Sequence, residues 1–130
     1  MSHHRETVTA LGAPAAIGPY SHAVRSRGML YCSGQIAIDP ATNELVDGGP
    51  GAQARKCLEN LRAVCAAAGA ELGDAVRLTV YLSDMAAFAE VNEVYSEFFP
   101  TDPPARVAIA VAGLPKDVDV EIDAIVALPE

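Results

Sequence analysis

The chain has 130 residues, enough for one domain with one hydrophobic core, and it carries 9 Lys and Arg against 17 Asp and Glu, a formal net charge of −8. With 51% hydrophobic and 20% charged residues, the composition is that of a globular rather than a disordered protein. An acidic chain in which no stretch concentrates Lys or Arg is repelled by phosphate backbones, which argues against nucleic acid as a partner.

Cysteine usage and hydropathy indicate a cytoplasmic protein. The chain has three cysteines, Cys32, Cys57 and Cys65, and their spacing is not that of metal ligands. Because an odd number cannot all pair within one chain, we interpret them as reduced, small hydrophobic residues. The first twenty residues contain no apolar run typical of a signal peptide. No apolar stretch reaches the ~18 residues that a membrane span requires. Residues 1–5, with their two histidines, are expected to be disordered and not to bind a metal.

Three strands are predicted before the first helix, at residues 6–10, Met29–Ile38 and 44–46. A loop containing Gly and Pro, residues 12–20, follows the first strand. The last two strands form a hairpin around the turn residues 39–43. Gly34 interrupts the second strand, which indicates a β-bulge or a close approach by another group.

Helices and strands alternate in the rest of the chain. Helical spacing of apolar residues predicts helices over Gly51–Ala70 and Met85–Phe98, the second capped by Asp84. Strands are predicted at Ala75–Ser83, Arg106–Ala112 and Val118–Ala127. The order β-β-β-α-β-α-β-β predicts an α+β fold over residues 1–130. Its mostly antiparallel mixed sheet of five to six strands carries two helices on one face.

Two helices cover one side of such a sheet, which leaves the other side open. In the strand Arg106–Ala112 we assign Val107, Ile109 and Val111 to the helix-covered core. The other row is then assigned to the open face, and it consists of Arg106, Ala108, Ala110 and Ala112. Three alanines are not typical of a solvated face, so we expect an oligomer packed on it. If this strand pairs directly with Val118–Ala127, the register that buries both apolar rows also places Arg106 and Glu121 together on the open face.

Arg106 and Glu121 are therefore the candidate functional residues. A guanidinium near a packed interface needs an anionic partner, because an unpaired buried charge is costly. That partner is either a carboxylate of the protein or the carboxylate of a ligand held by two parallel hydrogen bonds. Glu121 lies between Asp119 and Asp123 on the same strand face. We interpret Asp119 and Asp123 as a solvated acidic face.

Several segments together resemble the RidA/YjgF family. They cover nearly the whole chain in the right order, and they are residues 13–21, Ser33-Gly34-Gln35-Ile36, Gln53–Leu61, Pro104-Ala105-Arg106, Leu114–Val118 and Val120-Glu121-Ile122. The resemblance implies a chorismate-mutase-like fold and a homotrimer with sites at the subunit interfaces. It also implies hydrolysis of 2-imino and enamine acids, such as 2-iminopropanoate and 2-aminoacrylate, to 2-keto acids and ammonia without a cofactor.

Residue roles follow from the same resemblance. Arg106 would hold the carboxylate of the substrate, and Glu121 would position the attacking water. The residues expected to line the cleft are Tyr20, Ser33, Gly34, Asn92 and Ala108, the last standing where many bacterial members have Cys. Two other functions stay open. One is binding of 2-keto acids without turnover, and the other is an endoribonuclease or translation inhibitor, which the net charge disfavours.

Overall fold

A computed structural model describes residues 4–130, so part of the expected disorder over residues 1–5 falls outside the described residues. The helices are α1 (Gly49–Ala67) and α2 (Phe88–Phe98). The strands are β1 (Glu6–Val8), β2 (Ala23–Ser26), β3 (Met29–Gln35), β4 (Ile38–Asp39), β5 (Glu44–Leu45), β6 (Ala75–Leu82), β7 (Ala105–Ala110) and β8 (Val120–Ala127).

Six strands form one sheet in the order β1-β2-β3-β8-β6-β7, and β4 pairs with β5 in a separate hairpin. Only β6 and β7 pair in parallel, because α2 connects them as a crossover; the other pairs are antiparallel. The predicted α+β class, the mixed and mostly antiparallel sheet and the two helices are therefore confirmed.

The core lies between the helices and one face of the sheet. On β6, Leu78, Val80 and Leu82 are buried, whereas the residues between them are half-buried. Leu58 and Leu61 of α1 are fully buried against this face. The alternation leaves the opposite face of the sheet without cover from residues 4–130. Within the same residues, neither helix combines the length and the apolar character that a membrane crossing requires.

Strand β2 was not predicted. It has four residues, among them Arg25 and Ser26, and it pairs with β3 across a two-residue turn. Both turn residues have positive φ, 51° at Arg27 and 79° at Gly28, as a tight hairpin turn requires. The predicted strand Met29–Ile38 is also too long. β3 ends at Gln35, and the following residues turn away into the β4–β5 hairpin.

The last two strands do not pair directly, because β6 lies between β7 and β8, so the condition for placing Arg106 and Glu121 on one face is not met. Arg106 and Ala108 are paired with the buried Leu78 and Val80, so the arginine and alanine row faces the helices. The small side chains leave room for α2 at this edge, and Ala108 packs against the core. The row of Val107 and Ile109 lies on the open face instead.

The predicted solvated acidic face of Asp119 and Asp123 is wrong. Both side chains are half-buried and hydrogen-bonded. The amide of Gln53 exchanges two hydrogen bonds with Asp119: Nε2 donates to Oδ2 at 3.0 Å, and Oε1 accepts from the backbone N–H at 2.8 Å. The hydroxyl of Tyr81 donates to Oδ2 of Asp123 at 3.0 Å. These contacts attach β8 to α1 and to β6.

The first turn of α1 is capped from α2. Gly48 at the N-terminus of α1 offers no side chain, and the backbone N–H of Gly51 donates to Oε2 of Glu90 at 2.6 Å. A carboxylate at a helix N-terminus also interacts favourably with the helix dipole.

We expect Glu90→Ala to lower the free energy of unfolding by about 1 kcal/mol, the usual effect of losing an N-terminal cap. Urea denaturation of both variants measures the loss against Glu93→Ala, which removes an exposed glutamate from the same helix. Equal losses for the two variants would show that the contact with Gly51 contributes nothing to stability.

Candidate functional site

Arg106 extends from β7 along α2. Its Nη1 donates to Oδ1 of Asn92 at 2.7 Å, and its guanidinium carbon lies 4.7 Å from the ring centroid of Tyr95 and 5.5 Å from that of Phe88. Phe88, Asn92 and Tyr95 follow one another at helical spacing on one face of α2. The guanidinium is thus oriented by one amide oxygen and two aromatic rings, a geometry that suits cation–π attraction.

Arg106 has no carboxylate partner among residues 4–130. The ion pairs of this part of the chain join Arg25 to Glu6, Arg55 to Glu97 and Lys56 to Glu59. The arginine is exposed, and one of its five N–H donors is used by Asn92. An oriented guanidinium with further donors can receive a carboxylate through two parallel hydrogen bonds.

Glu121 lies on the open face of β8, beside Tyr81 of β6. It is half-buried, and the pKa of its carboxyl group is raised, first by burial and then by the nearby negative charge of Asp123. A carboxylate with a raised pKa is a stronger base than one in water, which suits proton abstraction.

Gly34 makes room for this carboxylate. The register of β3 and β8 shifts between Cys32 and Gln35, so Gly34 lies in the predicted bulge. A Cβ at position 34 would overlap Oε2 of Glu121 and lie 3.0 Å from its Cδ. The two expectations for this glycine, a bulge and a close approach by another group, are both confirmed.

Tyr20 and Ser33 lie near Gly34. Tyr20, 46% exposed, lines a cavity of about 150 Å³ together with Gly34. The hydroxyl of Ser33 donates to the carbonyl oxygen of Ser21 at 2.7 Å, and this bond attaches the loop of residues 9–22 to β3.

Buried His22 fixes the same loop. Its Nδ1 accepts a hydrogen bond from the backbone N–H of Ala10 at 2.8 Å, and its Nε2 lies 2.7 Å from the carbonyl oxygen of Pro14. The acceptor at Nδ1 places the proton on Nε2, which donates to Pro14. This histidine therefore has a structural role in the loop that presents Tyr20.

The candidate residues thus form two groups. We call Arg106, Asn92 and Ala108 the guanidinium half, and Glu121, Gly34, Ser33 and Tyr20 the carboxylate half. The expectation that Arg106 and Glu121 share the open face is wrong: register places Arg106 on the helix face and Glu121 on the opposite face. One chain does not bring its own guanidinium and carboxylate together.

Two site residues were missed in the sequence. Phe88 and Tyr95, which belong to the apolar spacing that predicts the second helix, contact Arg106. Their spacing around Asn92 was the available signal. Within residues 4–130, no cluster of three or more His, Cys, Asp or Glu side chains could hold a metal ion.

Comparisons with known proteins identify the family. A family model described as "Endoribonuclease L-PSP" matches residues 10–128. A RutC family protein of Pyrococcus horikoshii is 50% identical over 121 residues, which are 93% of this chain and 96% of that one. A mouse 2-iminobutanoate/2-iminopropanoate deaminase is 45% identical over 121 residues, 93% of this chain and 90% of that one.

The fold agrees with these matches. The crystal structure of RidA from the Antarctic bacterium Psychrobacter superposes with a TM-score of 0.91 at 44% identity, covering 95% of this chain and 99% of that one. The chain belongs to the Endoribonuclease L-PSP family, also known as the YjgF/RidA family. The resemblance found in the sequence is therefore confirmed.

Proposed function

We propose that this protein hydrolyses 2-imino acids and their enamine tautomers to 2-keto acids and ammonia, at sites formed between the subunits of a cytoplasmic homotrimer. The observation that carries the proposal is the guanidinium of Arg106. It is oriented by Asn92 and Tyr95 but has no carboxylate partner among the described residues. The deaminase name of the mouse relative supports the same activity.

The separation of the two halves supports a site between subunits. Arg106 lies beside α2 at the edge strand, and Glu121 lies on the open face, so in this proposal a second copy supplies the missing half. The open face carries exposed apolar side chains, with Ile109 at 42% and Tyr31 at 47% exposure. Exposed apolar side chains on a sheet face that no helix covers are typical of protein interfaces.

In the proposed reaction, Arg106 binds the substrate carboxylate and orients the imine. Glu121 of the partner subunit accepts a proton from water as the water oxygen attacks the imine carbon, and its carboxyl group then gives that proton to the imine nitrogen. Glu121 next accepts the hydroxyl proton of the resulting carbinolamine and passes it to the nitrogen, which leaves as ammonia as the C=O bond forms. The overall reaction adds one water and releases one ammonia, with no change of oxidation state and no need for a cofactor.

Mixing two inactive variants tests the shared site. Arg106→Ala retains a working carboxylate half, and Glu121→Gln retains a working guanidinium half. After joint unfolding and refolding in equal amounts, random trimers should restore about a quarter of the sites, since each site takes one half from each neighbour. The rate of imine loss above the uncatalysed background measures the recovery. No recovery in mixed trimers would refute a site shared in this way.

The same assay separates the alternatives. A protein that binds 2-keto acids without turnover would not accelerate loss of 2-iminopropanoate at all. The family description carries the name endoribonuclease, but the net charge of −8 opposes approach to an RNA backbone. RNA cleavage that persists at high salt and disappears in Arg106→Ala would favour that function instead.

Gly34→Ala tests the placement of the carboxylate. The added methyl group displaces the Glu121 side chain, a flexible group that can rotate away, so we expect a fall in kcat of tenfold or more with little loss of stability. The matched control is Gly73→Ala, where a Cβ would meet no atom within 4 Å. Wild-type kcat in Gly34→Ala would show that the close approach of Glu121 is unimportant for the reaction.

A further inference from the structure

The cavity beside Gly34 has an apolar wall. Its volume is about 150 Å³, and the apolar residues around it are Pro14, Ile17, Ile36, Ile38 and Pro115. Its polar lining comes from Tyr20 and Gln35, and no charged side chain of residues 4–130 contributes to it. An apolar cavity of about 150 Å³ is large enough to hold a benzene molecule.

The cavity adjoins the proposed reacting atoms. Gly34 contributes to its wall, and the same glycine makes room for the carboxylate of Glu121. The imine carbon of a 2-imino acid has three substituents, namely the carboxylate, the nitrogen and the side chain. The cavity can take the side chain, because it borders Gly34, the residue against which the carboxylate of Glu121 lies.

We propose that this cavity binds the side chain of the substrate, so that the enzyme prefers 2-imino acids with isobutyl to benzyl side chains over 2-iminopropanoate. The inference rests on the proposed deaminase function. A methyl group fills little of a space that holds benzene and leaves apolar wall exposed to water. A carboxylate in the side chain would enter a wall without a cation, where an unpaired charge is costly.

Competing imines test the preference. An amino acid oxidase generates the imines of alanine, leucine, phenylalanine and glutamate in place, with catalase present to remove peroxide. We expect kcat/KM to be at least tenfold higher for the leucine and phenylalanine imines than for the alanine imine, because the larger side chains bury more apolar surface. The glutamate imine is expected to react more slowly than the alanine imine.

A pair of neighbouring alanines provides a matched control. Ala15 and Ala16 are both exposed on the same loop, but only Ala15 lines the cavity, whereas Ala16 lines an adjacent depression. Ala15→Leu should lower the ratio of leucine-imine to alanine-imine kcat/KM about tenfold by filling the space. Ala16→Leu should leave that ratio unchanged.

The outcomes separate this inference from the function on which it rests. Hydrolysis of 2-iminopropanoate with no preference for the larger imines would overturn the inference and leave the deaminase function intact. An unchanged ratio in Ala15→Leu would do the same. Failure to accelerate the loss of any imine would overturn both.

Discussion

Arg106→Ala is expected to lower kcat/KM for 2-iminopropanoate by about 10²–10⁴-fold. Two charge-assisted hydrogen bonds to the substrate carboxylate are lost, each worth about 1.5–3 kcal/mol. The measurement is the rate of imine loss above background. Size-exclusion chromatography and thermal unfolding of the variant show whether assembly and fold persist.

Two further variants isolate the cause. Arg106→Lys keeps the charge but not the paired donors, and we expect activity between those of the wild type and Arg106→Ala. Arg62 is the matched control because its guanidinium carbon also lies over an aromatic ring, 4.8 Å from the centroid of Phe98. Arg62→Ala should retain full activity. Wild-type turnover by Arg106→Ala would end the proposed role of this arginine in substrate binding.

Glu121→Gln is expected to lower kcat by about 10²–10⁴-fold with little change in KM, the effect of removing a positioned general base. Glutamine keeps the size and the polarity of the side chain but cannot take the proton from water. Steady-state kinetics on 2-iminopropanoate measures the two constants separately. If KM rose by the same factor while kcat stayed unchanged, Glu121 would act in substrate binding instead.

The pH dependence of kcat tests the same residue. Burial and Asp123 raise the pKa of Glu121, so its basic form is lost at a higher pH than for an ordinary glutamate. Activity should therefore fall as the pH drops through this raised pKa. Asp123→Asn removes a negative charge and lowers the pKa of Glu121. The acidic limb of the curve of kcat against pH should therefore move to lower pH. A limb that does not move would exclude Glu121 as the titrating group.

The helices and most strands were predictable because their signals are local. The apolar stripe of the first helix was visible in the sequence, although the structure begins this helix at Gly49 and ends it at Ala67. Asp84 accepts a hydrogen bond from the backbone N–H of Ala86 at 2.9 Å, but it caps a short 3-10 turn, Met85–Ala87, and α2 begins only after this turn, at Phe88. Strand β2 was missed because four residues with two polar side chains carry little periodicity.

Which row of β7 side chains faces the helices was not predictable in the same way. Alternation separates two rows of side chains in a strand, but it does not reveal which strands are neighbours. Assigning Val107 and Ile109 to the core assumed that the bulkier row is buried. At this edge, α2 packs closely enough that the alanine row faces it, and the bulkier row is left for the open face.

Family motifs located the candidate residues but not their arrangement. Arg106, Glu121 and Gly34 were identified from the sequence, and the contact of Gly34 with Glu121 was foreseen only as an unnamed close approach. The spacing of Phe88 and Tyr95 around Asn92 marked one face of α2, but not that Arg106 packs on it. The apolar cavity depends on packing between distant segments, which no local spacing encodes.

Helix α2 has consequences for how this chain tolerates changes in length. Its eleven residues both cap α1 through Glu90 and orient Arg106 through Asn92 and Tyr95. One inserted residue would turn everything beyond it by about 100° about the helix axis. Segment 100–104 is mostly exposed and lies outside the helix, and exposed loops tolerate insertions and deletions. Within α2, a single inserted residue would separate the cap at Glu90 from the residues that orient Arg106.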